Sequence, residues 1–477
     1  MASTTGIAKR SISWVAADTF GTAALSFAVM LVMARLIGPG EFGAAAIAIS
    51  LVQIVNLFVE GLLHDALIQR RDVAPDDFDK ALSLVVGLGA AFAAIALLAA
   101  FLLGGTSYGR VAWLVFGMTC SLPFSGALGI GNARLRRDFR YADIARPSLI
   151  GRSLGSLVGV ALAFAGAGAW GLVVQQGSAI VLYALLLYRG MGWRPRIRLS
   201  FGSLAPLWSF ALPQAVTNSL SGMRMQISLL MIASLGGLAA TGYLNFAFRL
   251  TLTPQALLIT ALQSLGFPLL AKHQDDREAL VASYQHFTRT VAVFVAPLFI
   301  GLAICADDLV PAILGANWEP SVPAVRIVAC AGVLYFLRLS SSVLLRAIGV
   351  IRYSFANSIM HLAVTIGALV ALRPATAGWA ALCWVLPLAP LMPITVWAVR
   401  REARLSIAEQ LSPLWRPLSY NLAMILAVLL VKEEFGASSA LLRLAASVAT
   451  GAGIYGCLLL AFDQEALPVR RFIASRL

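Results

Sequence analysis

The sequence predicts an all-α integral membrane protein of about 14 transmembrane helices, arranged as two parallel six-helix repeats plus two C-terminal helices. Three observations predict it. Only 12% of the 477 residues are charged while 60% are hydrophobic, whereas about a quarter of the residues in a soluble domain are charged. Apolar runs close to the roughly 20 residues that cross a bilayer recur from end to end. Lys and Arg fall almost wholly on alternate connections between those runs, as they do in cytoplasmic loops.

The first seven apolar segments run near Ser13 to Leu36, Gly43 to Ile68, Ala81 to Gly104, Val111 to Gly131, Ser148 to Gly168, Trp170 to Tyr188 and Leu207 to Leu235. The second seven run near Gly242 to Leu270, Thr290 to Ala306, Val322 to Leu345, Ser354 to Leu372, Ala377 to Val399, Leu418 to Val431 and Ala440 to Phe462. Segment 1 follows Lys9 and Arg10 and exceeds the core of a signal peptide, about 7 to 15 residues. It is expected to persist as a helix with a cytoplasmic start.

With the N-terminus inside, cytoplasmic connections and tails hold 26 of the 36 Lys and Arg residues, and the opposite loops hold only Arg110, Arg373 and Lys432. One helix missed in mid-chain would collapse this bias, so an even count with both termini cytoplasmic is expected. The net charge of +14 is then mostly topological, and no nucleic-acid partner is expected.

Soluble-enzyme chemistry leaves no trace. None of the lysines (Lys9, Lys80, Lys272, Lys432) follows a glycine, which excludes the Gly-x-x-x-x-Gly-Lys phosphate loop. The histidines His64, His273, His286 and His361 lack His-Glu-x-x-His spacing, and the five cysteines stand singly, so neither a metal site nor a disulfide framework is signalled. No catalytic residue and no cofactor are assigned. The longest outer loop, Asp307 to Pro323, leaves little room for an extracytoplasmic active site.

Internal repetition gives the organisation. Ala34-Arg-Leu-Ile-Gly38 and Gly43, between segments 1 and 2, recur 199 residues later as Ala233-Ser-Leu-Gly-Gly237 and Gly242, between segments 7 and 8. In the same register Asp76, Asp77 and Asp79 fall on Asp275, Asp276 and Glu278, and Arg134, Arg140 and Tyr141 match Arg346, Arg352 and Tyr353 at an offset of 212. Six helices separate the copies, so both halves share one orientation. This is a parallel-repeat plan of transporters, with the substrate path between the halves. The expected lobes are residues 1–206 and 207–400, followed by 401–477 with the two additional helices and a cytoplasmic tail.

Charges inside segments are the first place to seek function, because an Arg at a helix centre costs about 2.5 to 3.5 kcal/mol on insertion scales. Arg35, Arg152, Arg326 and Arg443 lie near segment ends, where they can snorkel to headgroups. Arg224, Arg249 and Arg338 lie deeper and are the candidates for a cationic cavity. A guanidinium stays charged and grips phosphate oxygens bidentately, which points to a phosphate-bearing substrate. Asp18, Glu60 and Asp65 can bind a coupling ion or pair with those arginines. Gln53, Asn56, Gln214, Asn218 and Asn245 can meet sugar hydroxyls or serve as interhelical glue. Gly151, Gly155 and Gly159 share one helix face and predict close packing. Pro213, Pro254, Pro297 and Pro387 predict kinks.

The stretch Leu31-Val-Met-Ala-Arg-Leu-Ile-Gly-Pro-Gly-Glu-Phe-Gly43 with Ala66-Leu-Ile-Gln-Arg-Arg71 resembles the opening of the polysaccharide transporter family, the Wzx-type oligosaccharide flippases. So do Leu235-Gly-Gly-Leu-Ala-Ala-Thr-Gly-Tyr243, Ala247-Phe-Arg-Leu250, Phe267-Pro-Leu-Leu270 and Leu314-Gly-Ala-Asn-Trp318. The resemblance implies the fold of the multidrug/oligosaccharidyl-lipid/polysaccharide exporter superfamily, with two six-helix lobes around a central cavity. It implies translocation of undecaprenyl-pyrophosphate-linked oligosaccharides across the bacterial inner membrane by alternating access, for exopolysaccharide, capsule or O-antigen assembly. The implied partners are a lipid-linked anionic oligosaccharide, membrane lipids, and polysaccharide polymerase and export machinery. Relatives often follow the arginine of the seventh helix with Asp-Asn, whereas Arg224 here precedes Met225, Gln226, Ile227 and Ser228. Three alternatives stay open: a multidrug/cation antiporter on the same fold, which needs an acidic cavity; a peptidoglycan lipid-precursor flippase; and a membrane glycan polymerase or ligase.

Overall fold

A hydrocarbon core offers backbone groups no water, so a spanning chain must satisfy them within helices or a closed barrel. In the computed structural model every regular element among the described residues is helical. The backbone is described for residues 2–61, 63–69, 74–193, 195–196, 198, 205–350, 352–436 and 438–462. Within these, the side chains of 2–13, 16–17, 69, 75, 205–221, 352 and 354–355 are not described. Arg70, Arg71 and the tail beyond Phe462, used above to assign the inner side, lie outside the described residues.

The chain divides into two units, Met1–Asn245 and Phe246–Leu477. The first holds α1 (Ala2–Leu36), α2 (Pro39–Gly61), α3 (His64–Gln69), α4 (Pro75–Leu103), α5 (Gly109–Thr119), α6 (Leu122–Arg137), α7 (Tyr141–Phe164), α8 (Ala169–Met191) and the first part of α9 (Ala205–Lys272). The second holds the rest of α9, α10 (Arg277–Leu314), α11 (Val322–Ala347), α12 (Arg352–Leu372), α13 (Ala377–Val385), α14 (Leu388–Glu402), α15 (Ile407–Leu411), α16 (Trp415–Glu434) and α17 (Ala440–Phe462).

Among the described residues, 12 helices are long and apolar enough to cross a membrane. The protein is a multi-span helical membrane protein. Two places separate this number from the expected fourteen. Gly222–Lys272 is one apolar run of 51 residues, about 76 Å if straight against a hydrocarbon core of about 30 Å, and it is broken at Gly237 (φ 78°, ψ −172°). Segment 11 is represented by the shorter apolar helix Ala356–Leu372. The spans Gly109–Arg137 and Ala377–Glu402 are each interrupted, the first around Cys120 and Ser121 and the second around Leu386 and Pro387. Pro297 sits inside α10, which continues past it. The expected outer loop from Asp307 is instead helical, since α10 runs on to Leu314 and a 3-10 turn covers Ala316–Ser321.

Within the first unit, small residues permit close approach. A Cβ on Gly151, Gly155 or Gly159 would come within 2.6 Å of Tyr183 N, 2.5 Å of Ala179 N and 2.1 Å of Gln175 Cβ, respectively. The face expected to pack closely is thus the α7–α8 contact. A Cβ on Gly43 would lie 1.8 Å from the Leu238 carbonyl oxygen, and one on Gly242 2.1 Å from that of Pro39. Pro39 and Leu238 are separated by the same 199 residues as Gly43 and Gly242. The two repeat turns therefore meet through the same contact made twice, as across a two-fold axis.

The repeated acids cap helices. Asp77 accepts from Ala74 N (3.1 Å) at the start of α4, and Asp276 accepts from Glu278 N (3.0 Å) and Ala279 N (3.2 Å) at the start of α10, satisfying donors a helix N-terminus leaves open. The turn after α6 closes with Arg140 N to Leu135 O (2.9 Å), and the turn after α11 with Val350 N to Leu345 O (2.8 Å). These turns recur at an offset of 210, so in cap geometry Arg346 corresponds to Arg136 rather than to Arg134.

In the second unit the tilted rings of Phe299 and Phe336 pack with centroids 5.6 Å apart, those of Phe246 and Trp318 at 5.2 Å, and those of Phe248 and Trp384 at 4.6 Å. An ionic clasp joins α16 and α17 to α10. Lys432 reaches Asp307 (2.5 Å) and Asp308 (2.9 Å), while Arg443 pairs with Asp308, whose side chain is 1% exposed. Arg326 lies 3.7 Å from Asp307. Arg326 and Arg443 are thus ion-paired with acids carried by α10.

Candidate functional site

Successive residues on one helix face recur every three or four positions. On α2, Gln53, Asn56, Leu57 and Glu60 follow this spacing, and Gln53 and Asn56 are half-buried. Glu60 Oε2 accepts from Asn56 Nδ2 (3.0 Å) and from Ser125 Oγ of α6 (3.2 Å). The two helices touch there, since a Cβ on Gly129 would lie 2.5 Å from the Glu60 carbonyl oxygen, and His64 Nδ1 lies 2.8 Å from Gly129 O. Among the described residues Glu60 therefore has neutral partners and no arginine. Asn56 Oδ1 is buried without a partner among them.

Leu57 of α2 meets α9 at Gly222. A Cβ on Gly222 would lie 3.1 Å from Leu57, and Arg224 follows two residues on, half-buried. Within the first unit Leu57, which lies on the helix face carrying Gln53 and Glu60, thus packs against the α9 stretch bearing Arg224. The side chains of Gln214 and Asn218 lie outside the described residues. Asn245 is 4% exposed at the end of this unit. Asp65 is half-buried in the first turn of α3. Asp18 is half-buried on α1, within electrostatic reach of the Tyr183 hydroxyl, and its Oδ1 is buried without a hydrogen-bond partner among the described residues.

The second unit holds the other two arginines. Arg249 sits between buried Phe248 and Leu250, and its Nε is buried with no hydrogen-bond partner among the described residues. Arg338 of α11 is 7% exposed, donates from Nη1 to Asn357 Oδ1 of α12 (2.6 Å), and lies 5.5 Å from the centroid of the Tyr335 ring. It lines a cavity of about 400 Å³ walled by α9, α11, α12 and α14. Among the described residues no cluster of three or more His, Cys, Asp or Glu is placed to hold a metal ion.

Sequence reasoning missed Glu41. Its carboxylate pairs with Arg110 and accepts from Ala169 N (2.9 Å), placing a negative charge at the positive N-terminus of α8. The sign available in the sequence was a lone acid inside the Gly-Pro-Gly-Glu-Phe-Gly run.

The fold is shared with solved transporters. The inward closed conformation of the lipid II flippase MurJ superposes with a TM-score of 0.76 at 15% identity, covering 96% of this chain and 100% of that one. An inward-facing multidrug resistance MATE family transporter of the MOP superfamily gives a TM-score of 0.60 at 15% identity, covering 80% of this chain and 95% of that one. Fold and apolar spans together define a multi-span helical membrane protein. Residues 32–323 match the polysaccharide biosynthesis protein family, and the chain belongs to that family. Its relatives include the succinoglycan biosynthesis transport protein ExoT of Rhizobium meliloti (strain 1021), 25% identical over 467 residues covering 96% of this chain and 94% of that protein. They also include the lipopolysaccharide biosynthesis protein WzxC of Escherichia coli (strain K12), 22% identical over 67% and 66% of the two chains. A third is the teichuronic acid biosynthesis protein TuaB of Bacillus subtilis (strain 168), 25% identical over 59% of each.

Proposed function

We propose that this protein is a flippase for undecaprenyl-pyrophosphate-linked oligosaccharide repeat units, moving them across the bacterial inner membrane for exopolysaccharide, capsule or O-antigen assembly. The observation that carries this reading is Arg249, a cation inside a membrane helix whose Nε finds no acceptor among the described residues. An unpaired charge away from water is costly unless an anion completes it. A pyrophosphate supplies that anion, and Arg224 is the second grip. Gln53, Asn56, Gln214, Asn218 and Asn245 meet the sugars, while Asp18, Glu60 or Asp65 takes the coupling ion. Among these acids Glu60 is favoured by its neutral hydrogen-bond partners.

In this reading fourteen helices cross the membrane, α9 crossing twice about Gly237. Both termini are cytoplasmic, and two six-helix lobes, 1–206 and 207–400, alternate in access around a central cavity. The test is translocation of a lipid-linked oligosaccharide in proteoliposomes. Arg224→Ala with Arg249→Ala is expected to lower the rate at least 100-fold at unchanged reconstitution. An undiminished rate removes the site assignment. A deletion strain should trap lipid-linked units in the inner leaflet.

A further inference from the structure

The cavity lined by Arg338 is built for an anion. Two arginines, Arg338 and Arg346, face it, and each has a buried Nε without a hydrogen-bond partner among the described residues. Its described lining includes no Asp or Glu. Arg338 is more than nine-tenths buried, and among the described residues its hydrogen bond goes to the neutral Asn357 amide oxygen. Removing a guanidinium from water without a counter-charge is costly. Planar guanidinium donors suit phosphate oxygens.

Size and wall chemistry narrow the ligand. About 400 Å³ lies within the roughly 300 to 1,000 Å³ of small-molecule sites. Leu339, Leu345, Met360, Leu391 and Ile394 supply an apolar wall, and Ile394 is 41% exposed, so the apolar lining continues onto the protein surface. A charged floor beside an apolar wall fits a phosphate head carrying a hydrocarbon tail.

We propose that this cavity is a binding site for a phosphate-bearing lipid headgroup, formed within the second unit alone and distinct from the site proposed for translocation. The experiment follows the melting temperature of the purified, delipidated full chain as ligand is added. Phosphatidic acid is compared with diacylglycerol, which has the same tails without the phosphate, and with inorganic pyrophosphate. Phosphatidic acid is expected to raise the melting temperature where diacylglycerol does not. In Arg346→Gln and in Arg338→Gln/Arg346→Gln the apparent affinity should fall at least tenfold. Ser342→Trp, which fills the cavity and leaves both arginines, should lose the shift. Arg400→Gln/Arg401→Gln should retain it. Should Arg338→Gln/Arg346→Gln not fold, Arg346→Gln and Ser342→Trp decide the matter. A shift by pyrophosphate alone supports the anion site and assigns it to a free phosphate rather than a lipid. Equal shifts in the native protein and all cavity variants, or no shift with either phosphate ligand, overturn the proposal.

Discussion

Asp308 shows what a buried charge does in this protein. Its carboxylate is 1% exposed and is held by Lys432 and Arg443 from two different helices. Replacing one member of a buried pair leaves the others uncompensated and typically costs about 3 to 5 kcal/mol. Asp308→Asn is therefore expected to lower the Tm markedly in a thermal melt of the reconstituted protein. Asp307→Asn, about half exposed, should cost at most about 1 kcal/mol. Equal losses would contradict this ranking. Glu60→Gln preserves the hydrogen bonds to Asn56 and Ser125 in kind, so the melting temperature should hold while gradient-driven transport falls at least tenfold. Single residues of this sort were only partly legible in the sequence. Arg326 and Arg443 can be placed near helix ends by counting, but nothing local shows that Asp307 and Asp308 reach them. The arginines deep in the membrane are legible because hydropathy alone makes them anomalous. Their partners, such as Asn357 for Arg338, depend on packing.

Among the elements, glycine spacing carries the most readable information. Gly151, Gly155 and Gly159 announce a close helix contact, and α8 fills it. Gly155→Leu should prevent α7 and α8 from meeting, seen as loss of monodisperse protein on size-exclusion chromatography. Gly43 and Gly242 could be recognised as repeat markers, whereas their mutual contact appears only when both turns are placed. Gly43→Leu and Gly242→Leu should each abolish transport, and to a similar degree, because each drives a side chain into a backbone carbonyl. Retention of transport by one alone would break the symmetry argument. Helix ends were less legible than helix existence. α10 runs through the expected loop because Asp307 and Asp308 find cationic partners instead of water, and hydropathy cannot register such compensation.

For the whole molecule, the bias of basic residues toward alternate loops predicts an experiment on sidedness. In a cysteine-free background, cysteines at Thr106 and Ala375 should react from outside with a membrane-impermeant maleimide. Those at Arg137 and Arg196 should react only after permeabilisation. The reverse pattern would invert the assigned orientation. The class of fold was legible because a bilayer imposes length and polarity on every span, and the family because its packing anchors are local in sequence. Buried Trp318 against Phe246, and Phe248 beside Arg249, are such anchors. The cavity around Arg338 was not legible, since its walls come from four helices spread from Gln263 to Ala398.

The clasp on α10 also bears on how such chains diverge. Asp308 is compensated by Lys432 and Arg443, and Asp307 has Arg326 besides Lys432, so the last two helices cannot be lost or exchanged without leaving Asp308 unmatched. Across homologous sequences Asp308, Lys432 and Arg443 should vary together, the acid giving way to an apolar or amide residue wherever the C-terminal cations are absent. That pattern would trace the history of the appended pair of helices in sequence data alone.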